Sequence, residues 1–174
     1  YSDATKGWIP ISDGAVADVP SKGNEGIFGY GDTGSDVSMT NLVSTVGVVA
    51  TDVTGVGTVR KYLAACEYGG DKGIFGYGYT TLSMTNLVSN AGVVATDVTG
   101  VGTGRTNLMA CSYGTDGNDK GIFGYGTTSG GSAGVVSMTN LVSNAGVVAT
   151  DTTGVGTSRY GGAGCEYGDD KAIF

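Results

Sequence analysis

Followed for its alternation of apolar and polar residues, the chain breaks into short runs. Leu63–Tyr68, Gly73–Tyr77, Met84–Ser89 and Val93–Val98 are each five or six residues long and bounded by glycine, asparagine or aspartate. Most are rich in β-branched or aromatic side chains, which fit a pleated, half-buried surface. Between the third and fourth runs lies Ser89-Asn90-Ala91-Gly92, a tight-turn sequence, since Asn and Gly tolerate the positive φ that hairpin turns require. No ten-residue segment carries a glycine-free apolar stripe of helical period. The pattern predicts an all-β chain with four strands in each unit.

The runs recur. GIFGYG occupies Gly26–Gly31, Gly73–Gly78 and Gly121–Gly126, and a further copy starts at Ala172-Ile173-Phe174. From Ile27 to Ile74, Ile122 and Ile173 the steps are 47, 48 and 51 residues. A second block, SMTNLVS followed by GVVATD or a close variant and TGVGT, runs from Ser38, Ser83 and Ser137 to Arg60, Arg105 and Arg159, always 22 residues apart. Length varies in two places. From GYG to the next SMT the separations are 7, 5 and 11 residues, and from the arginine to the next phenylalanine 15, 18 and 15. Those are expected to be surface connectors, where insertions disturb no core. The reading divides the chain into an N-terminal linker or end of a preceding domain over 1–21, then repeats over about 22–68, 69–116 and 117–167, and a partial repeat over 168–174. A four-stranded unit of this length is the size of a propeller blade, whereas leucine-rich or ankyrin units would show helices.

Composition narrows the function. Glycine supplies 34 of 174 residues without a G-X-Y period, which excludes collagen. With 9 basic and 16 acidic residues the net charge is −7, so phosphate backbones are repelled and nucleic acid is not an expected partner. No apolar run reaches the roughly 18 residues of a membrane-spanning helix, so membrane insertion is not expected. The opening Tyr1–Trp8 carries neither an initiator methionine nor a secretion signal, and the chain is expected to be part of something longer.

Catalytic chemistry has few candidates. Without histidine, serine and cysteine triads and the usual zinc ligand sets are unavailable. No catalytic residue, cofactor or metal is assigned. Cys66, Cys111 and Cys165 fall at equivalent places in successive repeats and read as small buried thiols in reduced form. Asp52, Asp97 and Asp151 recur singly, too sparse for calcium, and read as turn formers; Asp116–Asp119 is the one denser acidic loop. The glycines of GIFGYG are not followed by a helix and do not suit a phosphate cradle.

The order of landmarks, an arginine, a small-residue strand, a turn, K-x-I-F-G-Y-G, a variable loop and T-N-L-V-S, resembles a kelch-type blade. Arg60, Arg105 and Arg159 match that family's arginine before the first strand, and Gly76/Gly78 partly match its glycine pair. The glycine doublet is replaced by Gly-Tyr-Gly, and the tryptophan expected after the fourth strand is absent. The wording SMTNLVSNAGVVATDVTGVGT and DKGIFGYG is similar to repeats of virion-associated, tail-fibre-type proteins of marine bacteriophages, and SDATKGWIPISD resembles the linker that such proteins carry. The resemblance implies an incomplete kelch-like β-propeller of about three and a half repeats, completed by more of the same polypeptide or by other copies. It also implies a non-enzymatic role on a virion surface or in an extracellular fibre. Expected partners are other virion or fibre subunits, copies of itself, and a host-surface glycan or protein; the alternative is a purely structural assembly subunit. In kelch-like blades the second-to-third and fourth-to-first loops share a face, which would gather loops 32–37, 79–82 and 127–136 beside the arginines. Tyr79, Thr80, Thr81, Thr127, Thr128, Ser129, Arg60, Arg105 and Arg159 are therefore the candidate ligand-binding residues, their hydroxyl and aromatic groups suiting sugars. The arginines have an equally available role in bracing neighbouring blades.

Overall fold

The computed structural model describes residues 25–115, 117–168 and 170–174. The proposed linker over 1–21 and Asp116 of the acidic loop lie outside them. Among the described residues the chain is all-β, with ten strands and no helix. They are β1 (Gly26–Asp32), β2 (Asp36–Val43), β3 (Ala64–Tyr68), β4 (Lys72–Gly78), β5 (Leu82–Val88), β6 (Met109–Tyr113), β7 (Lys120–Gly124), β8 (Thr139–Val142), β9 (Cys165–Tyr167) and β10 (Lys171–Ile173). They form four small antiparallel sheets, β1-β2, β3-β4-β5, β6-β7-β8 and β9-β10, none closed on itself. Register repeats with the sequence: Ile74 faces Cys66 and Leu87, and Ile122 faces Cys111 and Leu141. Successive sheets contact one another through β3 with β6 and β7, and β6 with β9 and β10.

The fourth predicted strand, Val93–Val98, is not a regular strand. Its turn forms as expected: Ser89 N donates to Val93 O (3.0 Å), and Gly92, at φ 72°, donates to Ser89 O (2.9 Å). Beyond it the segment pairs with β5 through isolated bridges, Val88 to Val94 and Thr85 to Val98, in place of a continuous ladder. Between the bridges two residues of β5, Asn86 and Leu87, thus face three of the returning segment, Ala95 to Asp97, a bulge. The cause is Asn86, whose side-chain amide donates to Ala95 O (3.0 Å) and the Asp97 carboxylate (2.9 Å) where a ladder bond would otherwise lie. Asn41 and Asn140 make the same contacts in their own repeats.

The core lies between repeats. Phe75 is 5% and Phe123 0% exposed, while Phe28, at the same place in the first repeat, is 63% exposed. Each buried ring sits on the fourth residue of the preceding GIFGYG. A Cβ added at Gly29 would lie 2.8 Å from Phe75 Cζ, one at Gly76 2.6 Å from Phe123 Cζ, and one at Gly124 2.9 Å from Phe174. Only glycine leaves room for the ring. These glycines seat the next repeat.

Beside the seat the chain adopts a conformation uncommon for a bulky residue. Tyr30, Tyr77 and Tyr125 have φ of 64°, 66° and 61°, and β1 and β4 shift register at this point. The bulge turns each ring into the interface, where it meets the following phenylalanine edge to face at 5.2 to 5.7 Å. The hydroxyls donate to Val56 O, Val101 O and Val155 O. Such aromatic pairs contribute about 0.5–1.5 kcal/mol beyond the area they bury.

Candidate functional site

The candidate arginines belong to the interface. Arg60 and Arg105 are fully buried, and their guanidinium carbons lie 4.4 and 4.7 Å from the ring centroids of Tyr30 and Tyr77. Arg60 Nε donates to Tyr77 O (2.9 Å) and Nη2 to Asn86 Oδ1, while Arg105 Nη1 donates to Met138 O (2.8 Å) and Nη2 to Asn140 Oδ1. Each side chain thus stacks on its own repeat and donates into the next. A desolvated cation over a ring is worth about 2 kcal/mol. Burial pulls the Arg60 pKa below its ordinary value, against the favourable pull of Tyr30 and Asp97. Neither arginine has surface for a ligand. Arg159 differs: it lies 3.9 Å over Tyr125, donates to Phe174 O (3.0 Å), and is exposed.

The recurrent aspartates do more than form turns. Asp97 accepts from Thr58 N (3.0 Å) and Thr58 Oγ1 (2.7 Å), and Asp151 accepts from Thr103 N (3.0 Å) and Thr103 Oγ1 (2.7 Å), in each case a threonine of the preceding repeat. Burial raises both carboxyl pKa values, but hydrogen bonds from threonine and asparagine outweigh it and leave them below the usual carboxylate range. A sequence signal existed for this clamp: Thr58, Thr103 and Thr157 each stand two residues before the arginine and recur with the aspartate.

The cysteines line a groove of about 360 Å³ together with Glu67, Ser112 and Glu166. Cys66 packs against Gly121 of the next repeat and Cys111 lies under Ile173 O (3.9 Å), and burial pushes their thiols up to about 12 and about 11. Both are protonated at neutral pH and so poor nucleophiles and metal ligands. Of the three thiols expected to be buried, Cys111 is buried and Cys66 half-buried, whereas Cys165, which no described repeat overlies, is exposed. Among the described residues no three His, Cys, Asp or Glu side chains converge as a metal site.

The connectors after each GYG meet the segments after each arginine at one end of the sheets, while the added length between Arg105 and Phe123 lies at the other end, where β6 and β7 are joined by six residues against three between β3 and β4. Gly31, Gly78 and Gly126 donate their N–H to the carbonyls of Arg60, Arg105 and Arg159 (3.0 to 3.1 Å), and Asn107 N donates to Tyr62 O, as Gly161 N does to Asn107 O (both 2.9 Å). This ladder ties the segment after each arginine to the loop after each GYG. Tyr79 and Thr80 are exposed and Thr81 is half-buried. Gly130 of the long loop approaches the Tyr79 ring. In that loop Thr127 is fully buried, bridging Thr106 and Val135, and Thr128 Oγ1 donates to Gly134 O (3.2 Å). Ser129 is exposed and its hydroxyl donates to Ala133 O. Tyr79, Thr80 and Ser129 thus present surface, whereas Thr127 is scaffolding.

Residues that the sequence reading passed over complete this rim. Lys61 Nζ pairs with Asp32 (2.5 Å) and Asp36 (3.1 Å), and lies 5.7 and 5.6 Å from the ring centroids of Tyr62 and Tyr79. The two rings stand 6.3 Å apart at 85°, both exposed. The hydrogen bond from Lys61, then that from Gly34 N, holds the Asp32 carboxyl below its ordinary value. The available signal was divergence: the two residues after the arginine are Lys-Tyr, Thr-Asn and Tyr-Gly, in a chain that otherwise copies itself.

Neither a scan against protein-family models nor a search of curated proteins finds a match to this chain.

Proposed function

We propose that the chain is a non-enzymatic surface repeat protein of a virion or an extracellular fibre, tail-fibre-like, which attaches to a host-surface glycan or protein through the variable loops that follow each GYG at one end of its sheets. The observation that carries this reading is the division of labour among residues. Phenylalanine, glycine, tyrosine, arginine, asparagine, aspartate and threonine of the repeated blocks are consumed in repeat-to-repeat contacts. Tyr79, Thr80 and Ser129, in the loops that differ between repeats, are exposed at the rim. The protonated thiols of Cys66 and Cys111 and the lack of histidine support a non-catalytic role. As architecture we propose kelch-like blades in an incomplete propeller, with Val93–Val98 as an irregular outer fourth strand. Its support is the meander order β3-β4-β5 and the contact between successive sheets.

The alternative is a purely structural assembly subunit, favoured by how completely the recurrent residues serve the interfaces. Excising Ser129–Gly134 while keeping Thr127, which holds the loop base to Thr106, separates the two. Attachment of the purified protein to host cell envelopes falls if the loops bind, while assembly and melting temperature stay unchanged. Full attachment by the shortened protein together with failed assembly would favour the structural reading.

A further inference from the structure

Resting on that attachment reading, we propose that Tyr62 and Tyr79, with Lys61 held between Asp32 and Asp36, form a seat for an uncharged hexopyranose glycan at the junction of the first and second repeats. Three observations carry it. The first is shape. Two exposed tyrosine rings meet at 85° with centroids 6.3 Å apart, so a sugar ring laid on one face meets the edge of the other. Tyrosine offers an apolar face for the C–H side of a pyranose and a hydroxyl for its rim.

The second is charge. The Lys61 ammonium is engaged by both carboxylates, at 2.5 and 3.1 Å, so it orients them as acceptors for sugar hydroxyls and is not a free cation for an acidic ligand. Two carboxylates and one ammonium leave the seat negative, on a chain of net charge −7. Sialylated, uronate or phosphorylated glycans are repelled.

The third is the backbone at Tyr62. Its φ is 56°, and the following repeats place Asn107 (φ 53°) and Gly161 (φ 67°) at the same point of the ladder. Asparagine and glycine are at home in the left-handed region, and a bulky ring is not. The connector itself is satisfied by either small residue, yet the first junction keeps a tyrosine there, half exposed and facing Tyr79. An unfavourable backbone conformation retained for an exposed aromatic is a mark of a binding role.

The test uses the intact chain with dextran and laminarin as uncharged probes and alginate and heparin as anionic ones. The expected result is binding of an uncharged probe with little dependence on salt. Tyr62→Asn, which suits the backbone as Asn107 does, and Tyr79→Thr, as in the third repeat, each weaken it about tenfold, the effect of losing one aromatic contact. Circular dichroism melting confirms that both variants fold. Binding of neither uncharged probe, preference for the anionic ones, or undiminished affinity in Tyr62→Asn would overturn the proposal. If the protein attaches to host envelopes through Ser129–Gly134 yet binds no uncharged probe, only this inference falls. If it attaches to neither, the attachment reading falls with it.

Discussion

Phe28, Phe75 and Phe123 share one sequence motif but differ in what covers them, and truncating them measures the repeat interface directly. Phe123 is 0% exposed, fills the space over Gly76, and meets Tyr77 at 5.2 Å. Phe123→Ala removes a fully buried ring from a cluster with Tyr68, Ile74, Tyr77, Leu108 and Val142 and should cost about 3–5 kcal/mol. Phe28, 63% exposed, has no such seat among the described residues, and Phe28→Ala should stay within about 0.5 kcal/mol. With a urea m-value of about 1–3 kcal/mol per molar, the Phe123 variant's midpoint falls by at least about 1 M and the Phe28 variant's barely moves. Urea unfolding followed by circular dichroism reads both. In a repeat array the loss falls mainly on the junction between the second and third repeats, so the transition of the Phe123 variant should also broaden or divide. Equal losses in the two variants would refute the reasoning, because they would mean that the motif is stabilised within its own sheet and not by the neighbour.

Two further outcomes follow from the same interfaces. Asp97 and Asp151 have folded pKa values below their unfolded ones, so the stability they contribute is complete above about pH 4 and disappears as pH falls through the folded values. The Asp97→Asn/Asp151→Asn double variant should therefore melt lower than the parent at pH 7 but lose less on going to pH 3; parallel melting curves at the two pH values would contradict the clamp. With a thiol reagent at pH 8, Cys165 should react quickly, while Cys66 and Cys111, held protonated at about 12 and 11, react only after denaturation. Three fast thiols would show that the interfaces are open.

The strands β3, β4 and β5 and the turn at Ser89–Gly92 could be read from β-branched, aromatic and turn-forming residues because those choices act locally. The surface connectors could be read because only they change length. Val93–Val98 has the composition of a strand, but its pairing is decided by the Asn86 side chain across the sheet, and no local pattern carries that. Arg60 and Arg105 could be read as ligand contacts or as braces between blades; the choice is made by a tyrosine ring in their own repeat and an asparagine in the next, partners that no local pattern names. The Lys61 cluster was invisible for a related reason. Asp32, Lys61 and Tyr79 come from three connectors that meet only after the sheets have been set side by side.

Because every seat in the array is nearly the same, a phenylalanine from any repeat fits the glycine of any other, and only covalent linkage imposes their order. A coding region that gains or loses one unit by unequal recombination should thus still yield a foldable chain, with all inner contacts renewed at the splice. Such an array can change its reach, and the number and spacing of rim loops along it, in single genetic steps, leaving selection to work on the rim alone.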